Sequence, residues 1–219
     1  MMANLLFGLP GERPGGLLLT MVFFMMAGGG AFIAGFIYAA LCNEFPRQSL
    51  LFKIGSALLR GTPLLLLVFL VAHIPGLSAS SAGLIALLCY STSHVGEILR
   101  PFIAAYPACL SQQAGVMGLG YVHEWIELRI PWVLWRAYPV LLTHWISLLK
   151  DTGALIVLGI AELTTIAKAL SELQKTPGQW AMVFAIAGGL YLSASFVLIH
   201  VCQSILKSIL PVIKLQQHP

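Results

Sequence analysis

Charge is what this sequence has least of. Twelve Lys or Arg and eight Asp or Glu make only 9% of its 219 residues charged, while 58% are hydrophobic. A soluble domain carries about 25% charged residues. This composition, with a mean hydropathy of +0.89, therefore excludes an ordinary soluble domain and makes the bilayer the expected solvent. Cysteine is also scarce. Cys42, Cys89, Cys109 and Cys202 stand alone in or beside apolar runs, with no CxxC pair, which argues for small packing residues rather than a metal or redox role. No GxxxxGK(S/T) stretch is present, so the chain brings no loop of its own to cradle nucleotide phosphates. No basic cluster is interleaved with aromatics, and a net charge of +4 makes no case for nucleic acid. The first cation is Arg13, and the apolar run after it is too long for a signal peptide. No nucleophile–base pair or metal-ligand set stands out, so no catalytic residue and no metal ligand is expected, which argues against a membrane-embedded enzyme. The lack of an inverted repeat argues against a self-contained secondary carrier or channel.

What is present is a series of long uncharged runs. A spanning helix needs roughly 20 apolar residues, and residues 17–42 supply twenty-six without a charge. The uncharged run 61–96 is cut by HIPGLSASSAG at 73–83, which predicts two spans, 55–74 and 82–105. A fourth, imperfect span covers 132–163 and contains Arg136, Pro139, Lys150, Asp151 and Gly153; a fifth covers 179–206. The expected architecture is one all-α integral membrane domain of about five helices, with a short external N-terminal segment (1–16) and a cytoplasmic tail (207–219). Basic residues favour the cytoplasmic side. Placing 43–56, 107–131 and 207–219 there puts most Lys and Arg inside and the N-terminus outside; Lys168 and Lys175 are the exceptions.

One stretch breaks the pattern. QQAGVMGLGYVHEWIELRIP, residues 112–131, gathers two glutamines, three glycines, a histidine, two glutamates and an arginine. The 107–131 connection is patterned as helix–turn–helix. Pro107 suits a helix start, and Gly115, Gly118 and Gly120 suit a chain reversal. From there Leu119, Val122, Trp125, Ile126 and Leu128 fall largely on one helical side, and Gly120, His123, Glu124 and Glu127 on the other. Such a helix lies on a membrane surface or enters a groove on a partner protein. HEWIE at 123–127 lacks the second histidine of an HExxH zinc site, so a solvated or partner-facing polar side is the better account.

Ionisable groups within spans are costly and as a rule face a protein interior or a pathway. Lys150 and Asp151 are adjacent, followed by Thr152 and Gly153, and a helix break here is tolerated where it lines a cavity. Lys150, Asp151 and Thr152, with Glu162 further along the same expected span, are candidate pathway or gate residues; a structural ion pair between helices is the alternative. Glu97 and Arg100, three apart on one face, and Arg60 and Thr62 at the entry of the second span, suit a structural role or the pathway. His73, His94, His144 and His200 suit packed or interfacial positions. Gly28, Gly29, Gly30, Gly188 and Gly189 suit close helix contact.

These residues carry a family resemblance. The segment 107–131 resembles the EAA loop of permease subunits of ATP-binding-cassette importers: Pro107 to Gly118 and Gly118 to Pro131 match its spacing without a gap, with Gln112-Gln113-Ala114 in place of Glu-Ala-Ala. LLRGTPLLLLVFL (58–70) resembles the FRGTPLL signature of the polar amino acid branch. SHVGEILRPFI (93–103) keeps Glu97 and Arg100 of AYxxEixRggi, with His94 for the tyrosine. HWISLLKDTGALIVLGIAEL (144–163) resembles NxFisLlKDTSLvsvIgvxEL, with His144 for the asparagine and Gly153 for the serine. The resemblance implies a type I importer permease in the bacterial cytoplasmic membrane. It would pair with a second, identical or paralogous permease and dock a cytoplasmic ATPase dimer through Gln112, Gln113, Ala114, Gly118, Glu124, Glu127 and Pro131. A periplasmic or lipid-anchored binding protein would deliver a small polar amino acid, or another small polar solute. No cofactor is expected on this chain, since ATP and Mg would bind the ATPase.

Overall fold

The structure is a computed structural model that describes residues 1–9, 15–45, 47 and 49–214, with 207–214 as backbone alone. Arg13 and residues 215–219 of the tail expected at 207–219 therefore lie outside the described residues, while 207–214 continue α10. A short α1 (Met2–Phe7) precedes α2 (Gly16–Glu44), which is apolar on every side, as suits a helix set between protein and lipid. α3 (Leu50–Gly61) and α4 (Leu64–Ala72) lead to α5 (Ala79–Ala104), where Ser78 caps the N-terminus by accepting from the Ser81 N–H. α6 (Ala108–Val116) and α7 (Tyr121–His123) flank a tight turn. A π-helical segment, Glu124–Arg129, joins α7 to α8 (Ile130–Asp151), and a 3-10 segment, Thr152–Leu158, leads on to α9 (Leu163–Glu172) and α10 (Pro177–Lys214).

Four of these runs are long and apolar enough to cross a membrane: Gly16–Glu44, Ala79–Ala104, the continuous Tyr121–Leu158, and Pro177–Leu206. The span expected at 55–74 is not one straight helix, because α3 and α4 meet at 106°. The break falls at Thr62-Pro63. Proline pushes the preceding residue out of the helical region, and Thr62 is extended with ψ 128°. The span expected at 132–163 is also redrawn. Its helical run starts earlier, at Tyr121, and ends at Leu158; the chain then turns through Gly159, so Glu162 opens α9 instead of closing α8.

The helices pack around three apolar clusters. Ala39, Val95, Leu99, Val133, Ala137 and Leu141 join α2, α5 and α8 near the 107–131 connection. Phe23, Phe24, Ala27, Val68, Leu87 and Leu148 fill the middle. Leu5, Leu163, Ile166 and Ala167 close the opposite end beneath α1, α9 and α10. α2 and α5 cross closely. A Cβ on Gly35 would stand 2.8 Å from Val95 and 3.0 Å from the Gly96 nitrogen, and one on Gly96 would run into the Tyr38 ring. Small residues at such contacts let backbones approach in lipid. Of the glycines expected to do this, Gly30 approaches Leu88 and Gly28 approaches Leu148, while Gly29, Gly188 and Gly189 have open space around them. Gly35→Val should destabilise the fold by about 1–3 kcal/mol through overpacking against backbone, whereas Gly29→Val should be nearly neutral; thermal unfolding in detergent distinguishes the two.

Candidate functional site

The 107–131 connection folds as a locked hairpin. Its turn is a Schellman motif: the Leu119 N–H reaches the Ala114 carbonyl at 3.0 Å and the Gly118 N–H reaches Gly115 at 3.1 Å. Gly118 takes the left-handed conformation the motif needs, with φ 72°. Between the arms, Glu124 accepts from the Ser111 hydroxyl at 2.5 Å and from Arg129 Nε at 2.8 Å. Arg129 also stacks on Tyr106 and Trp125, each 5.0 Å from the ring centre, and reaches Glu44 at 3.9 Å.

The expected two-sided pattern is corrected here. Glu124 is buried, while Tyr121, Val122 and Ile126 are exposed and Val116 at the turn is 90% exposed. The π-helical stretch is the reason. Its i→i+5 bonding brings residues five apart onto one side, so Glu124 meets Arg129 inside the hairpin. The apolar residues Val116, Met117, Tyr121, Val122 and Ile126 then form its outer tip. Gln112, Gln113 and Glu127 lie exposed on the two arms, Ala114 is buried, and Pro131 sits in the first turn of α8.

One turn back along α5, Glu97 gathers a second polar cluster. It accepts from Arg100 at 2.8 Å and from the Tyr38 hydroxyl at 2.8 Å, and Arg60 approaches it to 3.9 Å. The cluster thus ties α2, α3 and α5 together. Thr62 turns back to the Leu58 carbonyl and stays outside it.

The remaining candidates lie at the far end of α8, about 30 Å from its start at 1.5 Å per residue. Lys150 is exposed on a cavity of about 500 Å³ between α8 and α10, which Tyr191 and Ser195 also line. Thr152 is buried and donates to the Leu149 carbonyl, and Asp151 is half-buried beside it. Glu162 is 0% exposed. It caps α9 by accepting from the N–H groups of Thr164 and Thr165 at 2.9 and 2.8 Å, and it also takes the hydroxyls of Thr165 and Tyr191. Thr20 of α2 completes the knot by accepting from the Leu163 N–H. The structure therefore separates Glu162, which is sealed into a helix cap, from Lys150, which is open to the cavity.

No protein-family model matches the chain. Over 153 residues, 64% of this chain and 68% of the relative, it is 28% identical to an arginine ABC transporter permease of Haemophilus influenzae. Over 158 residues, 70% and 72%, it is 25% identical to a probable glutamine ABC transporter permease of Bacillus subtilis. The chain is thus similar in sequence to amino-acid ABC transporter permeases. Its fold is theirs as well: a crystal structure of an amino acid ABC transporter matches with a TM-score of 0.71 over 88% of this chain and 91% of that one, at 22% identity. The inward-facing MetNI methionine transporter matches with 0.71 over 87% and 92%, at 14% identity.

Two positions at which the sequence differs from the signatures it resembles meet each other. His94 and His144 stack with their rings 5.4 Å apart and 8° from parallel, and His144 pairs with Ser91 at 2.9 Å. A third is explained locally, since a side chain at Gly153 would press its Cβ to 2.9 Å from the Thr164 hydroxyl. Ser111, Arg129, Thr20, Tyr38 and Tyr191 do structural work at the polar clusters that the sequence does not single out. A lone Thr or Tyr in an apolar run carries no periodic signal; Arg129, five residues after Glu124, becomes a partner only through the π register. Glu124→Ala should cost about 3 kcal/mol by removing the carboxylate that binds both Ser111 and Arg129, leaving Arg129 only its longer contact with Glu44. Glu162→Ala should cost about 2 kcal/mol through the lost cap and its stranded donors, with Glu162→Gln milder. Both are checked by thermal unfolding of the helical signal.

Proposed function

We propose that this chain is the transmembrane permease subunit of an ATP-driven importer of polar amino acids. It forms the pathway with a second permease, identical or paralogous, and couples it to a cytoplasmic ATPase dimer that binds ATP and Mg. A solute-binding protein delivers the amino acid on the opposite side. In this reading the hairpin and the C-terminus face the cytoplasm, the N-terminus lies outside, and Lys150, Asp151 and Thr152 border the pathway, with Glu162 fixing the α9 segment beside them.

The observation that carries the reading is the locked hairpin with an apolar tip at the head of one continuous helical run. Glu124, Ser111 and Arg129 clamp its two arms, so a partner that grips Val116, Tyr121, Val122 and Ile126 moves both arms together. The continuous helical run Tyr121–Leu158 carries that movement to Lys150, roughly 40 Å away at 1.5 Å per residue. Gln112 and Gln113 offer hydrogen bonds from the flank of the tip, where the related loops carry a carboxylate. Closure of two ATPases under paired hairpins would thus tilt the helices that border the pathway. No step of hydrolysis falls to this chain.

The test is pull-down of the ATPase with the chain in mild detergent, followed by solute-stimulated hydrolysis. Ile126→Asp should insert normally but retain at least about tenfold less ATPase, since a charge placed in an apolar contact goes unpaired. Undiminished hydrolysis coupled to solute in that variant would refute the tip as the docking face.

A further inference from the structure

α3 is amphipathic in the reverse sense for a surface helix. Its polar stripe turns inward: Ser56 is buried and donates to the Ser93 carbonyl at 3.4 Å, Lys53 is half-buried, and Arg60 reaches Glu97 on α5. Its opposite stripe, Leu50, Leu51, Ile54 and Leu58, is exposed. Water is a poor solvent for that stripe and hydrocarbon a good one, so α3 lies within the apolar layer, turned 106° from α4. Between α3, α5 and α2 it leaves an open groove of about 450 Å³, lined by Phe52, Gly55, Leu59, Leu88, Thr92 and Ala34.

The groove's accessible wall is mostly apolar, with Tyr38, Ser56, Thr92 and Ser93 also in its lining, and a cationic cluster lies just beyond one end. Each wall delivers its next turn into the Glu97 cluster: Ala34 is followed four residues on by Tyr38, Ser56 by Arg60, and Ser93 by Glu97. There two guanidinium groups share one carboxylate, leaving a net charge of +1, with Arg60 36% and Arg100 41% exposed. An apolar channel suits an acyl chain and rejects a free anion. A surplus guanidinium at its mouth suits a phosphate, which arginine recognises through paired N–H donors.

We propose that the groove between α2, α3 and α5 binds an anionic phospholipid, its acyl chain along Phe52, Gly55 and Leu59 and its phosphate at Arg60 and Arg100. The site needs no ATPase and is independent of which solute the permease carries. A bound lipid of this kind wedges α3 against α5 and holds the bend at Thr62-Pro63.

Native mass spectrometry and thermal unfolding of the purified chain, with added phosphatidylglycerol or phosphatidylcholine, test the proposal. Phosphatidylglycerol should be retained about tenfold more than phosphatidylcholine, the size expected of one charge-assisted hydrogen bond, and should raise the unfolding temperature. Arg60→Gln should remove most of that preference. Gly55→Leu is the second variant: nothing lies within 4 Å of a Cβ there and leucine favours the helix, so the chain folds while the groove is filled. Loss of phosphatidylglycerol from Gly55→Leu supports the groove. The proposal is overturned by equal retention of the two lipids, by lipid retention that Gly55→Leu leaves intact, or by equal protection from inorganic phosphate. A Gly55→Cys chain that cross-links to a second copy across the groove also overturns it.

Discussion

A carboxylate carried into an apolar bundle must be met by donors, and three such glutamates organise this one. Helices that are greasy on nearly every side gain little from preferring one register over another when lipid is the competing neighbour. A buried carboxylate has a sharper requirement, because every donor it lacks costs free energy. Glu97 draws Tyr38, Arg60 and Arg100 to itself; Glu124 draws Ser111 and Arg129; Glu162 draws Thr164, Thr165 and Tyr191. α2 takes part in all three clusters, through Tyr38 at Glu97, through Glu44 at Arg129, and through Thr20 at Glu162. It is the spine against which the other helices are registered, and its close crossing with α5 at Gly35 and Gly96 fixes where those polar contacts fall.

The clusters sit at two ends. Thr20 and Glu44 are separated by about 36 Å along α2 at 1.5 Å per residue, roughly the thickness of the apolar layer. The Glu162 knot is therefore remote from the hairpin and from Glu97, and both α2 and the run from Tyr121 to Leu158 connect the two ends. The hairpin tip stands at one end of that run and the cavity bearing Lys150 near the other. The chain is similar to amino-acid ABC permeases in sequence and in fold. His94 and His144, both departures from the signatures the sequence resembles, stack near-parallel as neighbours across α5 and α8.

Much of this was legible beforehand. The apolar spans expected at 17–42, 82–105 and 179–206 correspond to α2, α5 and α10, because hydropathy over twenty residues is a direct count of what lipid tolerates. The turn at Gly118 was legible from its spacing, and its left-handed φ is the physical reason a glycine stands there. The bend after α3 was half visible: Pro63 was plain, but an apolar run continuing through it looks the same whether straight or turned by 106°. The roles of Glu124 and Glu162 were not visible at all. Each looked like a solvated or pathway group until distant hydroxyls and a guanidinium were brought to it.

By itself, then, the sequence determined the solvent, the main helices and the hairpin, since each follows from local composition or from residues a few positions apart. Only the tertiary structure decided which polar side chains face inward and which apolar ones are left for a partner or for lipid. Helical periodicity assumes α geometry and water on the polar side. In this chain a π segment shifts the register of Glu124, α3 turns its polar stripe toward α5, and partners more than a hundred residues away in sequence settle where a carboxylate is stable.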